Sequence, residues 1–186
     1  HGLSKHEPRR HERLQMLPLQ EEIDRTIKVE DILSRGVRAH CKRHMIDGNH
    51  EDRLERYLGT GLQSVLGSLR SLHMEEVFAY KQRGFSSYRP YGEGIWVTQN
   101  LFVYHGSYVT DAPGGSVNKE VLNLGTSVIM GHTHRRAEVR FRQGKHEHMG
   151  IEAGCLCQLS ASYRPMTNWA HAMTTVDVID DRHWNA

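Results

Sequence analysis

The chain has 186 residues, 38% of them hydrophobic and 25% charged, with a formal net charge of +2. That length suffices for one domain with a proper core, and the composition is that of an ordinary globular protein. A charge balance this mild gives no argument for a nucleic-acid partner by itself, whereas fourteen histidines make metal chemistry worth seeking.

The first twenty residues, HGLSKHEPRRHERLQMLPLQ, are polar and basic and carry Pro8 and Pro18. They read as an irregular or short helical lead-in. From Leu19 to Ser34, Ile23, Ile27, Ile32 and Leu33 fall on or near one face, which predicts a helix stopped by Gly36. Val37 to Asp47 reads as a strand, although a polar one, running into Gly48-Asn49-His50-Glu51. Glu51 and Asp52 suit a helix N-terminus. Leu54, Leu58, Leu62, Val65 and Leu69 continue a helical face, interrupted at Gly59 and Gly61.

Residues 79–94 read as a loop. Then the period changes: IWVTQ and LFVYHG predict paired strands turning near Gln99-Asn100. DAPGGSVNKEVLNLG is a loop and a short helix, TSVIMGH a buried strand, and AEVRFRQGKHEHMGIEAG a hairpin turning at Gln143-Gly144. MTTVDVID closes the chain as a further strand. Helices first and strands later, with no internal repeat, predict a single α/β domain over residues 1–186.

Three cysteines, Cys41, Cys155 and Cys157, show no framework spacing, which argues against a disulfide-stapled secreted domain. Cys155 and Cys157 would share a face on a strand, but no second pair at finger spacing completes a zinc site, so reduced structural thiols are expected. No apolar run approaches the roughly 20 residues of a membrane span, and no signal peptide is visible. A cytoplasmic location is the expectation.

Three strand-to-loop junctions carry the chemistry: Gly48-Asn49-His50-Glu51, Tyr104-His105-Gly106 and Gly131-His132-Thr133-His134. Strand ends are where sites gather in layered α/β proteins. Imidazole nitrogen with an amide oxygen suits a borderline divalent ion. Neighbouring glycines let the backbone turn sharply and approach an anion.

These motifs, in this order, resemble the calcineurin-like metallophosphoesterases of phage and bacterial type, over about residues 37–180. The tail GIEAGCLCQLS…NWAHAMTTVDVI is also similar to their closing strands. The resemblance implies a two-sheet α/β sandwich flanked by helices, with two metals at the strand ends. It implies that Asn49, His105 and His132 hold one metal, that His134 holds the other, and that His50 contacts the phosphate and helps protonate the leaving oxygen. The implied reaction is hydrolysis of phosphoester bonds by metal-activated hydroxide, with manganese first among the ions and zinc, iron, nickel or magnesium as alternatives.

The family's Asp-x-His and Gly-Asp motifs do not precede these residues. His1-Gly2-Leu3-Ser4 resembles the residues just after the second of them, so the chain reads as a family member truncated at its N-terminus. One metal, not two, is then the expectation for these 186 residues alone. The alternative is a catalytically incomplete remnant that binds metal or nucleic acid.

Arg53, Arg135 and Arg136 are candidate substrate contacts. With Arg140, Arg142 and Lys145 they suggest a basic rim and a phosphodiester substrate, nucleic acid included. A homo-oligomer is compatible with all of this. Blander readings stand beside these: Asn49 as a cap, His105 as a core histidine, Arg53 as a solvated helix residue, and Arg140 and Arg142 as the outer face of an ordinary hairpin. Tyr80, Phe85, Tyr88, Tyr91 and Trp96, interleaved with Lys81, Arg83 and Arg89, suit base stacking or a loop packed on a core.

Overall fold

A computed structural model describes residues 19–58, 68–160 and 167–186. The expected lead-in over 1–18 and the helical face expected to continue over 59–67 lie outside the described residues. The chain divides into two compact units, one up to Arg89 and the other from Pro90 to Ala186. The class is α/β, as the pattern predicts.

In the first unit, α1 (Leu19–Arg35) places Glu21 and Glu22 in its first turn and Arg35 in its last, both favourable to the helix dipole. It ends where the Gly36 amide donates to Leu33 O at 3.3 Å. None of its residues is fully buried, but Ile23 and Ile27 lean on a small core of Met74, Phe78 and Tyr80. Tyr80 stacks between Phe78 and Tyr88, with ring centroids 5.5 and 5.7 Å away. Arg83 donates to Glu30 and Asp31, each at 2.7 Å, and to Phe78 O. Of the aromatic and basic residues between 80 and 89, Tyr80, Phe85, Tyr88 and Arg83 are thus committed to packing.

The strand expected over Val37–Asp47 shrinks to β1 (His44–Ile46). The preceding VRAHCKR has no apolar alternation to bury, and most of its side chains stay exposed. β1 pairs in parallel with β2 (Ser87–Arg89), a short strand inside the expected loop. Next come α2 (Glu51–Leu58), a 3-10 turn at Arg70–Leu72 and α3 (Met74–Val77).

The second unit is built on a five-stranded mixed sheet. Its strands are β3 (Gly94–Thr98), β4 (Leu101–Tyr104), β5 (Ser127–Met130), β6 (Arg136–Gln143) and β7 (His146–Ala153), in spatial order β3-β4-β5-β7-β6. β4, β5 and β7 run parallel, while β3 and β6 are antiparallel edges. The crossover from β4 to β5 carries α4 (Gly115–Leu124), closed by Gly125 at φ 65°.

All four residues of β5 are buried, as expected of a central parallel strand. Leu101, Ile129, Met149 and Ile151 pack in one cluster. Val117 and Val121 of α4 pack with Val128 and Met130 in another, joined by Val139 and Phe141 of β6. On β6 the alternation is regular: Arg136, Glu138, Arg140 and Arg142 are exposed, and Ala137, Val139 and Phe141 turn inward. The ordinary-hairpin and basic-rim readings both place these arginines outward. The closing strand shortens to β8 (Asp177–Val178), paired with β9 (Trp184–Asn185).

Candidate metal centre

β4 and β5 lie side by side in parallel with Tyr104 opposite Met130, so the residues that come after each strand emerge at the same sheet edge. This is the carboxyl end of the parallel strands, where α/β sheets place their ligands. His105 leaves β4 there, and His132 leaves β5 one residue after Gly131. His105 Nε2 and His132 Nδ1 lie 3.0 Å apart. Gly106, at φ 90°, lets the chain turn beneath them, since a Cβ there would meet Met130 Cε at 2.5 Å.

The Gly-His-Thr-His loop is strained. His132 has φ 46° and His134 φ 60°, the left-handed region that side chains avoid. Each such residue costs on the order of 1–3 kcal/mol unless its surroundings enforce it. Thr133, between them, is buried and donates to Glu152 Oε2 at 3.1 Å. The Ala170 amide donates to His134 O at 2.9 Å, and the Gly154 amide to Arg135 O at 2.8 Å.

Two buried glutamates hold the two histidine loops. Glu120 of α4 is 1% exposed, and its Oε1 accepts from the amides of Ser107 and Tyr108 at 2.6 and 2.9 Å. That fixes the turn after His105. Glu152 of β7 is fully buried and accepts from Thr133 and from Arg135 Nε, the latter at 3.1 Å. Arg135 also donates to Thr110 O, Asp111 O and Ser116 Oγ. Sequence reasoning missed both glutamates; Glu120 reads as an ordinary helix residue, and Glu152 as one more member of an alternating strand.

Burial pushes His105 down to about 4, and the neighbouring His132 and His134 push the same way. His134 is lowered by burial and then by His132. Both rings are therefore neutral at pH 7, the form in which imidazole ligates a metal. The spacing also fits. Two ring nitrogens about 2.1 Å from one ion, at cis or tetrahedral angles, would be about 3.0–3.4 Å apart. A ring-to-ring hydrogen bond has the same length. Tyr91 meets His105 edge-on, with centroids 5.7 Å apart.

His134 belongs to a different group of donors. With Cys155 and Cys157 it places three ligand atoms within 4.8 Å of one another. Cys157 Sγ is 3.8 Å from His134 Nδ1. The cysteines lie beyond the end of β7, so the shared face that a strand would give them does not arise, and their donors converge on His134. A search for zinc-finger spacing could not find this group, because its third donor lies 21 positions upstream of Cys155 and is brought near by the antiparallel pairing of β6 with β7, in which Arg136 lies opposite Ala153.

Asn49 and His50 lie in the first unit, half-buried in the turn between β1 and α2. The Gly48 amide donates to Glu51 Oε2 at 3.0 Å, so Glu51 acts as a cap. Arg53 is half-buried, and its Nη1 is shielded from solvent with no hydrogen-bond partner among the described residues. A guanidinium nitrogen in that condition is costly unless an acceptor arrives.

Arg135 is a correction. Expected on the substrate rim, it is 4% exposed and its donors are spent on Glu152, Ser116 and two carbonyls. A buried carboxylate demands a paired cation, and Arg135 supplies it. Arg136 is exposed at the start of β6 and stays available.

Compared with models of known families, with curated proteins and with solved structures, the chain finds no match. Among the described residues, no helix is long and apolar enough to cross a membrane.

Proposed function

We propose that the chain is a metallophosphoesterase of the calcineurin-like class, hydrolysing phosphoester bonds with a divalent cation of the manganese type. The observation that carries the reading is the pairing of His105 and His132 at the carboxyl ends of adjacent parallel strands, with ring nitrogens 3.0 Å apart and His132 held in a left-handed conformation. Strain of this kind clusters where function needs a fixed geometry.

His105 and His132 would hold the ion through their facing ring nitrogens. When bound, it would supply Lewis-acid polarisation of a phosphoryl oxygen. His134 would hold the second ion of a two-metal form. Asn49 and His50 lie in the other unit, and the ligand and proton-donor roles that the sequence resemblance implies for them stand on the Gly-Asn-His-Glu motif alone. Arg53 has a donor awaiting an acceptor, which suits a phosphate oxygen. With Arg135 withdrawn into the interior, Arg136, Arg140 and Arg142 are the exposed arginines of β6 that remain to favour a polyanionic substrate, and a small phosphodiester fits as well as nucleic acid.

The test is hydrolysis of bis(p-nitrophenyl) phosphate with manganese, comparing the chain with His132→Ala. The reading expects metal-dependent turnover that His132→Ala removes. Equal turnover in both would overturn it. The thiol donors beside His134 favour a second reading, metal binding without hydrolysis. It expects no turnover from either protein and an ion retained by the unaltered chain.

A further inference from the structure

The phosphoesterase reading leaves Cys155 and Cys157 without a role, although they form with His134 the one group of three metal-ligating side chains with mutually close donor atoms among the described residues. Three further features bear on it. First, the backbone around the group is fixed from several sides. The Cys155 amide donates to Ala170 O at 3.0 Å, the Ala170 amide donates to His134 O, and His171 Nε2 lies 2.7 Å from Cys157 O. Second, Gly154, at φ 77°, permits the close approach of the two segments; a Cβ there would lie 2.6 Å from Ala172 Cβ and 2.8 Å from Ala170 O. Third, Trp169 stands edge-on against the His134 ring, with centroids 4.5 Å apart, and walls one side of the group.

The spacing agrees with shared coordination. A sulfur about 2.3 Å and a nitrogen about 2.05 Å from one tetrahedral ion would be roughly 3.6 Å apart. Cys157 Sγ and His134 Nδ1 are 3.8 Å apart. Two thiols and an imidazole are soft to borderline donors, which select zinc, cobalt or cadmium over manganese or magnesium. All three cysteines are free, so the thiols are not consumed in a disulfide.

We propose that His134, Cys155 and Cys157 form a zinc-class site with two thiolates, one imidazole and an open fourth position. Each thiol gives up its proton to solvent as the cation binds. Three protein ligands leave a coordination place for water or an exogenous anion, in contrast with closed four-ligand structural sites. The proposal shares His134 with the phosphoesterase reading but does not rest on it. The two separate by metal preference, since the His105–His132 pair offers no sulfur.

The experiment is titration of the reduced full chain with cobalt(II), followed by absorption. The expected result is a thiolate-to-cobalt charge-transfer band in the near ultraviolet, saturating at one equivalent and bleached by zinc. Cys155→Ser with Cys157→Ser should abolish the band, and Cys157→Ser alone should weaken cobalt binding at least about tenfold. If circular dichroism shows the double variant unfolded, the exposed Cys157→Ser carries the test. His132→Ala should keep the band while losing manganese-dependent hydrolysis. No thiolate band, a band that survives the cysteine substitutions, or a band lost with His132→Ala would each overturn the proposal. Absence of hydrolysis in the unaltered chain with the band intact would overturn the phosphoesterase reading alone.

Discussion

The loops after β1 and β5 carry comparable short motifs, Gly-Asn-His-Glu and Gly-His-Thr-His, and the chain holds them in different ways. The first is secured locally: Glu51 caps the Gly48 amide, and the Asp52 and Arg53 amides donate back to Gly48 O and His50 O. The second is secured by groups distant in sequence. Glu152 lies 19 residues beyond Thr133, and Ser116 lies 19 residues before Arg135. The first loop needs no strained residue, whereas the second holds two histidines in the left-handed region. A strained loop persists only when its surroundings over-determine it, and the buried Arg135–Glu152 pair does that here.

The contrast can be broken most severely at Arg135. Arg135→Met leaves Glu152 buried and unpaired, and it should cost about 3–5 kcal/mol of the second unit's stability in urea denaturation. A cost below about 1 kcal/mol would mean the pair is not what enforces the loop. Glu120→Ala removes the acceptor for two backbone amides after His105. It should cost about 2–3 kcal/mol by the same measurement, because hydrogen bonds to a buried charge are among the stronger ones.

His132→Gly sharpens the comparison in the opposite direction. Glycine adopts φ 46° freely, so the metal-free protein should gain about 1 kcal/mol while manganese binding, followed by calorimetry, disappears. Unchanged stability would mean His132 carries no strain. The smallest effect belongs to the other loop. Glu51→Ala loses a single cap bond on an α2 terminus and should cost about 0.5–1 kcal/mol, read from the thermal midpoint.

Much of the second unit was legible in the sequence. The β3–β4 hairpin, the buried β5 and the β6–β7 hairpin all carry strong periodic patterns, and α1 ends at the glycine expected to stop it. The polar VRAHCKR stretch misled, because a strand needs an apolar face and this one has none. At the candidate site, the three histidines were visible as strand-end residues. Glu120, Glu152 and the Cys155–Cys157 donors were not, because each meets a residue 12 or more positions away that only the packing of α4 on the sheet and the pairing of β7 with β5 and β6 bring near. Arg135 was misplaced for the same reason: its charge suggested solvent, and its partner is a glutamate 17 residues on.

The proposed chemistry depends first on His105 and His132 binding a metal together. Manganese is the probe that isolates it, since the thiol group disfavours that ion. The measurement is electron paramagnetic resonance of manganese(II) titrated into the unaltered chain and into His132→Ala. At least one tightly bound manganese is expected in the former, and loss of that binding, by roughly 100-fold or more, in the latter. Equal binding by both proteins, or binding by neither, would contradict it.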